Sequence, residues 1–136
     1  PSFSAAGVYE RLEAMGEAGR TAYRQLIITI DFVFPVTVLF FLLAWTRFFI
    51  RKTMNQAQML LLMKLFAVLP FVYFIFDMLE NLMVLAVLSR YPARSAIAEF
   101  IGYFTVIKRG SMLIALFAPP LSWLGARIWR RSLQPA

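Results

Sequence analysis

Three long apolar runs, each closed by basic or turn-forming residues, organise the chain: residues 26–48, 59–88 and 97–118. At ~1.5 Å per residue, about 20 helical residues match one hydrocarbon thickness, so each run predicts a transmembrane helix. In front of them, Val8, Leu12, Met15 and Gly19 recur at helical spacing opposite Glu10, Arg11, Glu13 and Glu17. That pattern makes 1–25 an amphipathic interfacial segment, with Ser4 placed to cap its start and Gly16 or Gly19 to end it. A helix docked on the soluble side is the other reading. Behind them, 121–134 sets Trp123 and Trp129 beside Arg127, Arg130 and Arg131, as an interfacial C-terminal helix would. The expected fold is a single membrane domain over 1–136, an all-α integral membrane helical bundle.

Within this frame Thr21 is placed to cap the first run, and Pro35 predicts a kink near Asp31. Arg47, Arg51 and Lys52 close that run, and Asn55 to Gln58 read as a short polar turn. The second run starts with Met59 and carries Lys64, whose long stem reaches back toward headgroups. Its hydrocarbon stretch, Leu65 to Leu88, exceeds the minimum length, so tilt or a kink at Pro70 absorbs the excess. Residues 89–94 connect to the third run, with Ser95 as N-cap and Glu99 in the first turn. Pro119 and Pro120 are expected to break or kink the third helix.

The polar exceptions inside these runs are the candidate chemistry. Asp77, Glu80 and Asn81 lie three and four residues apart and share one helical face, which Tyr73 and Pro70 extend. A central Asp costs ~2.5 to 3.5 kcal/mol against insertion, so such groups persist where they face protein, water or a ligand. Alternating spans place the start of the first, the end of the second and the start of the third on one side. At ~1.5 Å per residue, Asp31 then lies ~8 Å deep, Glu80 and Asp77 ~12 and ~17 Å, and Lys108 ~17 Å. Three acids (Asp31, Asp77, Glu80) can meet two bases (Lys108, Arg109) in one layer, with Asn81, Tyr73 and Thr105 as neutral partners and Arg24 reaching in. Ala98, Gly102 and Thr105 form a small-residue stripe that lets a neighbouring helix approach. An interhelical ion-pair network is the leading reading; a transported ion, proton or polar substrate, a lipid or quinone headgroup, and membrane-embedded catalysis are the others.

Composition narrows the choice. Hydrophobic residues make up 61% and charged ones 15%, with mean hydropathy +0.71, values of a membrane protein. The sequence contains no Cys and no His, which removes the usual ligands of haem, iron–sulfur clusters and zinc, so no cofactor and no metal site is expected. The segment FDMLEN is no calcium loop, because a continuous apolar helix cannot wrap oxygens around a cation. Carboxylates here come without a nucleophile or glycine loop, which argues against an enzyme. The net charge of +7 sits at the ends of apolar runs, so the lipid bilayer and not nucleic acid is its partner. Arg47, Arg51, Lys52, Arg127, Arg130 and Arg131 slightly outnumber Arg11, Arg20, Arg24, Arg90 and Arg94, which turns the 47–58 loop and the C-terminus toward the cytoplasm or matrix. The first residue is Pro1 and not Met, so a targeting peptide or a further helix is expected upstream.

Gly16, Gly19, Arg20 and Tyr23 leading to Asp31 and Phe34-Pro35, then Asp77, Glu80 and Asn81 followed by Tyr91-Pro92 and Lys108, form a recognisable pair of patterns. Together they resemble a group of small, uncharacterised multi-helix membrane proteins with G-x-x-G-R-x-x-Y…D-x-x-F/Y-P and D-x-x-E-N motifs. The resemblance implies a fold, a polar layer and a hydrophobic helix upstream of the first segment, but no reaction. The expected function is therefore that of a non-catalytic polytopic subunit, accessory to a larger complex of respiratory or photosynthetic type in a bacterial or organelle inner membrane. The alternative is a small carrier, proton- or ion-linked, that uses Asp77 and Glu80.

Overall fold

A computed structural model describes residues 4–53 and 57–132. Among the described residues the chain is all-helical and contains no strand. Three stretches are long and apolar enough to cross a membrane: Gly16–Lys52, Leu60–Arg90 and Ala98–Ser132. In chain order the elements are α1 (Ala5–Ala14), α2 (Gly16–Leu26), a π-helical turn (Ile27–Asp31), α3 (Phe34–Lys52), α4 (Ala57–Phe66), α5 (Leu69–Arg90) and α6 (Ala98–Ser132). The expected polar turn at Asn55 falls partly on residues 54–56, outside the described residues, while Ala57 and Gln58 already belong to α4. The last positions of the expected C-terminal segment, 133–134, also lie outside them.

The N-terminal segment is two helices rather than one. Ser4 Oγ accepts from the amide of Gly7 at 3.3 Å and opens α1. Gly16, at φ +64°, takes the left-handed conformation that ends it, as glycine can without a Cβ clash. Gly19 sits so close to Met15 that an added Cβ would lie 2.9 Å from that residue's Cβ. Arg20 then folds back, donating to the carbonyl of Leu12 at 2.9 Å and stacking over the Tyr91 ring at 4.3 Å. A cation placed on the last carbonyls of α1 is favourable there. The Gly16, Gly19, Arg20 spacing thus builds a corner and ties it to the α5–α6 connection. Tyr9 strengthens the same tie, accepting from the Ser95 amide at 2.6 Å and donating to the Ala93 carbonyl at 3.4 Å.

Thr21 does not cap the first long helix, because α2 has begun five residues earlier and Thr21 Oγ1 donates to the Glu17 carbonyl within it. Side chains of α1 and the π-helical turn join one core cluster, in which Leu12 and Ile27 pack with Val87, Leu88, Ala98 and Ile101. A second cluster gathers Leu42, Tyr73 and Ala115 from α3, α5 and α6. The helix pair α5–α6 makes the most extensive contact in the fold. Ala98 packs there with Val87 and Leu88, and Thr105 bonds to Glu80, so two small side chains of the stripe face α5.

Prolines shape the three long helices in different ways. Pro70 starts α5 after a short turn at Ala67–Val68, so the second apolar stretch is two helices in near continuation. Pro35 follows the π-helical turn and lacks the N–H that would bond the carbonyl of Asp31, four residues back. Asn81 Nδ2 of α5 donates to that carbonyl instead, at 2.7 Å. Of the break or kink expected at Pro119 and Pro120, the break does not occur: α6 is continuous from Ala98 to Ser132, and among the described residues no separate C-terminal helix follows it. The reason lies on α3. Pro120 leaves the Leu116 carbonyl without its helical donor, and Trp45 Nε1 supplies one at 2.9 Å. A neighbouring helix supplies a donor to the carbonyls of Asp31 and Leu116, which is one way proline is tolerated in an apolar bundle.

Candidate functional site

Halfway along the α5–α6 contact, Lys108 reaches across to α5. Its Nζ lies 2.5 Å from Asp77 Oδ1 and 2.6 Å from Glu80 Oε2. The three side chains are only 10 to 20% exposed, so both pairs are shielded from solvent. Thr105 Oγ1 donates to the second Glu80 oxygen at 2.8 Å, and it also lies 2.9 Å from the Ile101 carbonyl on its own helix. The local reason is helical periodicity: residues 77, 80 and 81 share a face of α5, and 105 and 108 share a face of α6. One ammonium thus closes on two carboxylates. Glu80 Oε2 meets the ammonium at ion-pair distance without a hydrogen bond of its own among the described residues, and one ammonium against two carboxylates leaves the set short of one positive charge.

Asn81 lies beside this cluster and is spent on the Asp31 backbone, so its amide binds α5 to the start of α3. Asp31 and Tyr73 join the ion pairs around a cavity of about 320 Å³, whose walls also include Asp77, Glu80, Asn81, Lys108 and Arg109. Tyr73 is buried there; the side chain of Asp31 forms no ion pair among the described residues. The cavity therefore holds three carboxylates and one closed ammonium, with Arg109 at its exposed rim.

Two of the cations expected in the layer form no ion pair there among the described residues. Arg109 is exposed and makes no ion pair among the described residues, because one helical step, about 100°, separates it from Lys108. Arg24 is exposed and lines a different cavity, between α2 and the end of α5, with Glu17, Arg20, Leu88 and Tyr91. Tyr23, conversely, belongs to the site although its position in a polar segment hid it. It lines the 320 Å³ cavity and a second one of about 170 Å³ under α1, and Glu80 and Arg109 also border both. The i, i+8 spacing of Tyr23 and Asp31 was the available signal, but the intervening π-helical turn alters the phase of the helix between them.

The arrangement can lock two helices, and it can hold a small cation or a proton against uncompensated carboxylate. Among the described residues no group of side chains has the composition of a metal site. No protein-family model, curated protein or solved structure matches the chain.

Proposed function

We propose that this chain is a non-catalytic integral membrane protein, an accessory subunit that packs against other subunits of a larger assembly in a bacterial or organelle inner membrane. The observation that carries the reading is the closure of Lys108 on both Asp77 and Glu80, with Thr105 bonded to the remaining Glu80 oxygen. Polar groups used up in this way hold α5 and α6 in register and leave little for a reaction. A second support is the outer surface, where Phe40, Phe41, Ile75, Leu113 and Phe117 are all about half exposed, as suits side chains facing lipid or neighbouring helices. In this reading α1 rests at one face of the membrane and the Trp- and Arg-rich end of α6 at the other. The motif resemblance supports the same fold class.

Native electrophoresis after mild detergent extraction tests the subunit role. Co-migration with a large complex is expected; a free monomer or small homo-oligomer would overturn it.

The 320 Å³ cavity favours one other reading, a carrier linked to protons or cations through Asp31, Asp77 and Glu80, whose carboxylates outnumber the ammonium among them. That reading requires ion flux in proteoliposomes that Asp31→Asn abolishes. Flux without large-complex association would put it ahead.

A further inference from the structure

At the far end of the bundle the charge pattern is of another kind. The last turn of α3 meets the last turns of α6 around a cavity of about 160 Å³ lined by Lys52, Trp123, Ala126, Arg127, Arg130 and Arg131. Among the described residues four cations border it and no carboxylate does. Trp123 gathers two of them: Lys52 Nζ lies 5.4 Å and the Arg127 guanidinium 5.6 Å from its ring centroid, and Phe49 fixes the indole with a ring contact at 5.9 Å. Arg130 Nε is fully buried and has no hydrogen-bond partner among the described residues. A buried guanidinium N–H without an acceptor, in a cavity without an acid, is a costly arrangement unless an anion completes it.

We propose that this cavity binds the phosphate group of an anionic ligand, with Arg130 as the central donor and Lys52 and Arg127 flanking it. Guanidinium forks suit phosphate oxygens because two parallel N–H donors match two acceptors. The site lies where two long apolar helices end beside an indole, so the phosphate of an anionic phospholipid headgroup reaches it most directly, its acyl chains running along the exposed apolar surface. A zwitterionic headgroup brings a quaternary ammonium into the same field and is disfavoured. This inference is independent of the subunit role, which it neither needs nor tests.

The test uses the full chain, purified in detergent and delipidated, with bound lipid counted by native mass spectrometry. Dioleoylphosphatidylglycerol should be retained at concentrations about five- to tenfold below those needed for dioleoylphosphatidylcholine, since each cation near an anionic headgroup contributes that order of selectivity. Arg130→Gln should erase the difference and Arg130→Lys should restore part of it, while Arg24→Gln, at the other end of the bundle, should leave it intact. Lys52→Gln with Arg127→Gln, checked for helicity by circular dichroism, provides an independent weakening should Arg130→Gln fail to fold. Inorganic phosphate is titrated alone in thermal melts. A shift reversed by Arg130→Gln identifies soluble phosphate as the source, and lipid selectivity without that shift identifies the headgroup; either upholds the site. Equal retention of the two lipids with no phosphate shift, or retention unchanged in Arg130→Gln and in the double variant, would overturn it.

Discussion

Lys108 and Arg130 are both cations on α6, one near the middle of the bundle and one at its end, and they are treated oppositely. Lys108 is closed by two carboxylates, whereas Arg130 sits among Lys52, Arg127 and Arg131 with no acid lining the cavity among the described residues. The difference separates two uses of charge. Neutralised inside, a cation fastens the fold; left without an internal counter-charge, it directs the molecule toward something outside. The first should therefore be felt in stability and the second in what the protein retains.

The sharpest way to break the contrast is Lys108→Met, which leaves Asp77 and Glu80 together with no cation between them. A loss of about 3 kcal/mol or more is expected in detergent unfolding, while Lys108→Met combined with Asp77→Leu and Glu80→Leu should lose less than the single change. Strictly additive losses would mean that the three groups do not act as a unit. Next comes Asn81→Leu, which removes the donor on the Asp31 carbonyl and should cost ~1 to 3 kcal/mol in the same assay, the range for a buried acceptor left bare.

Trp45→Phe keeps an aromatic ring but loses the indole N–H, and a cost of about 1 kcal/mol is expected. That cost should shrink in a Pro120→Ala background, where residue 120 regains its own N–H and the Leu116 carbonyl no longer needs Trp45. An unchanged cost there would detach the indole from the proline. At the bottom of the scale, Arg131→Gln should leave the melting temperature of the lipid-free protein unaltered, because Arg131 has no ion pair, hydrogen bond or ring contact to lose among the described residues. A clear drop would show that the end cluster is structural after all and erase its contrast with Lys108.

Much of this was legible from spacing alone. Apolar run length marks the three long helices, and three- and four-residue intervals put Asp77, Glu80 and Asn81 on one face, with Lys108 opposite at matching depth. What spacing cannot convey is which of two adjacent cations turns inward: depth arithmetic treats Lys108 and Arg109 alike, yet helical rotation sends only the first to α5. Arg24 was misjudged for the same reason, since its depth fits and its direction does not. Asn81 reads as a side-chain partner for the charges, but its partner is a backbone carbonyl exposed by a proline elsewhere. The continuity of α6 through Pro119 and Pro120 depends on an indole 71 residues away, a relation no local pattern encodes. The Gly16 corner was in view, although not that a second helix would start from it.

The two carbonyl repairs also differ in time. A ribosome delivers the Asp31 carbonyl fifty residues before the Asn81 amide that reaches it, whereas Trp45 is already in place when the Leu116 carbonyl emerges. If synthesis proceeds into a bilayer, α3 arrives with a bare polar group that lipid cannot satisfy, and α6 finds its donor waiting. Every nascent chain stopped before Asn81 thus carries a visible flaw in its first long helix. Completion of α5 removes it, so the same amide that joins two helices also marks the chain as having passed beyond its half-made state.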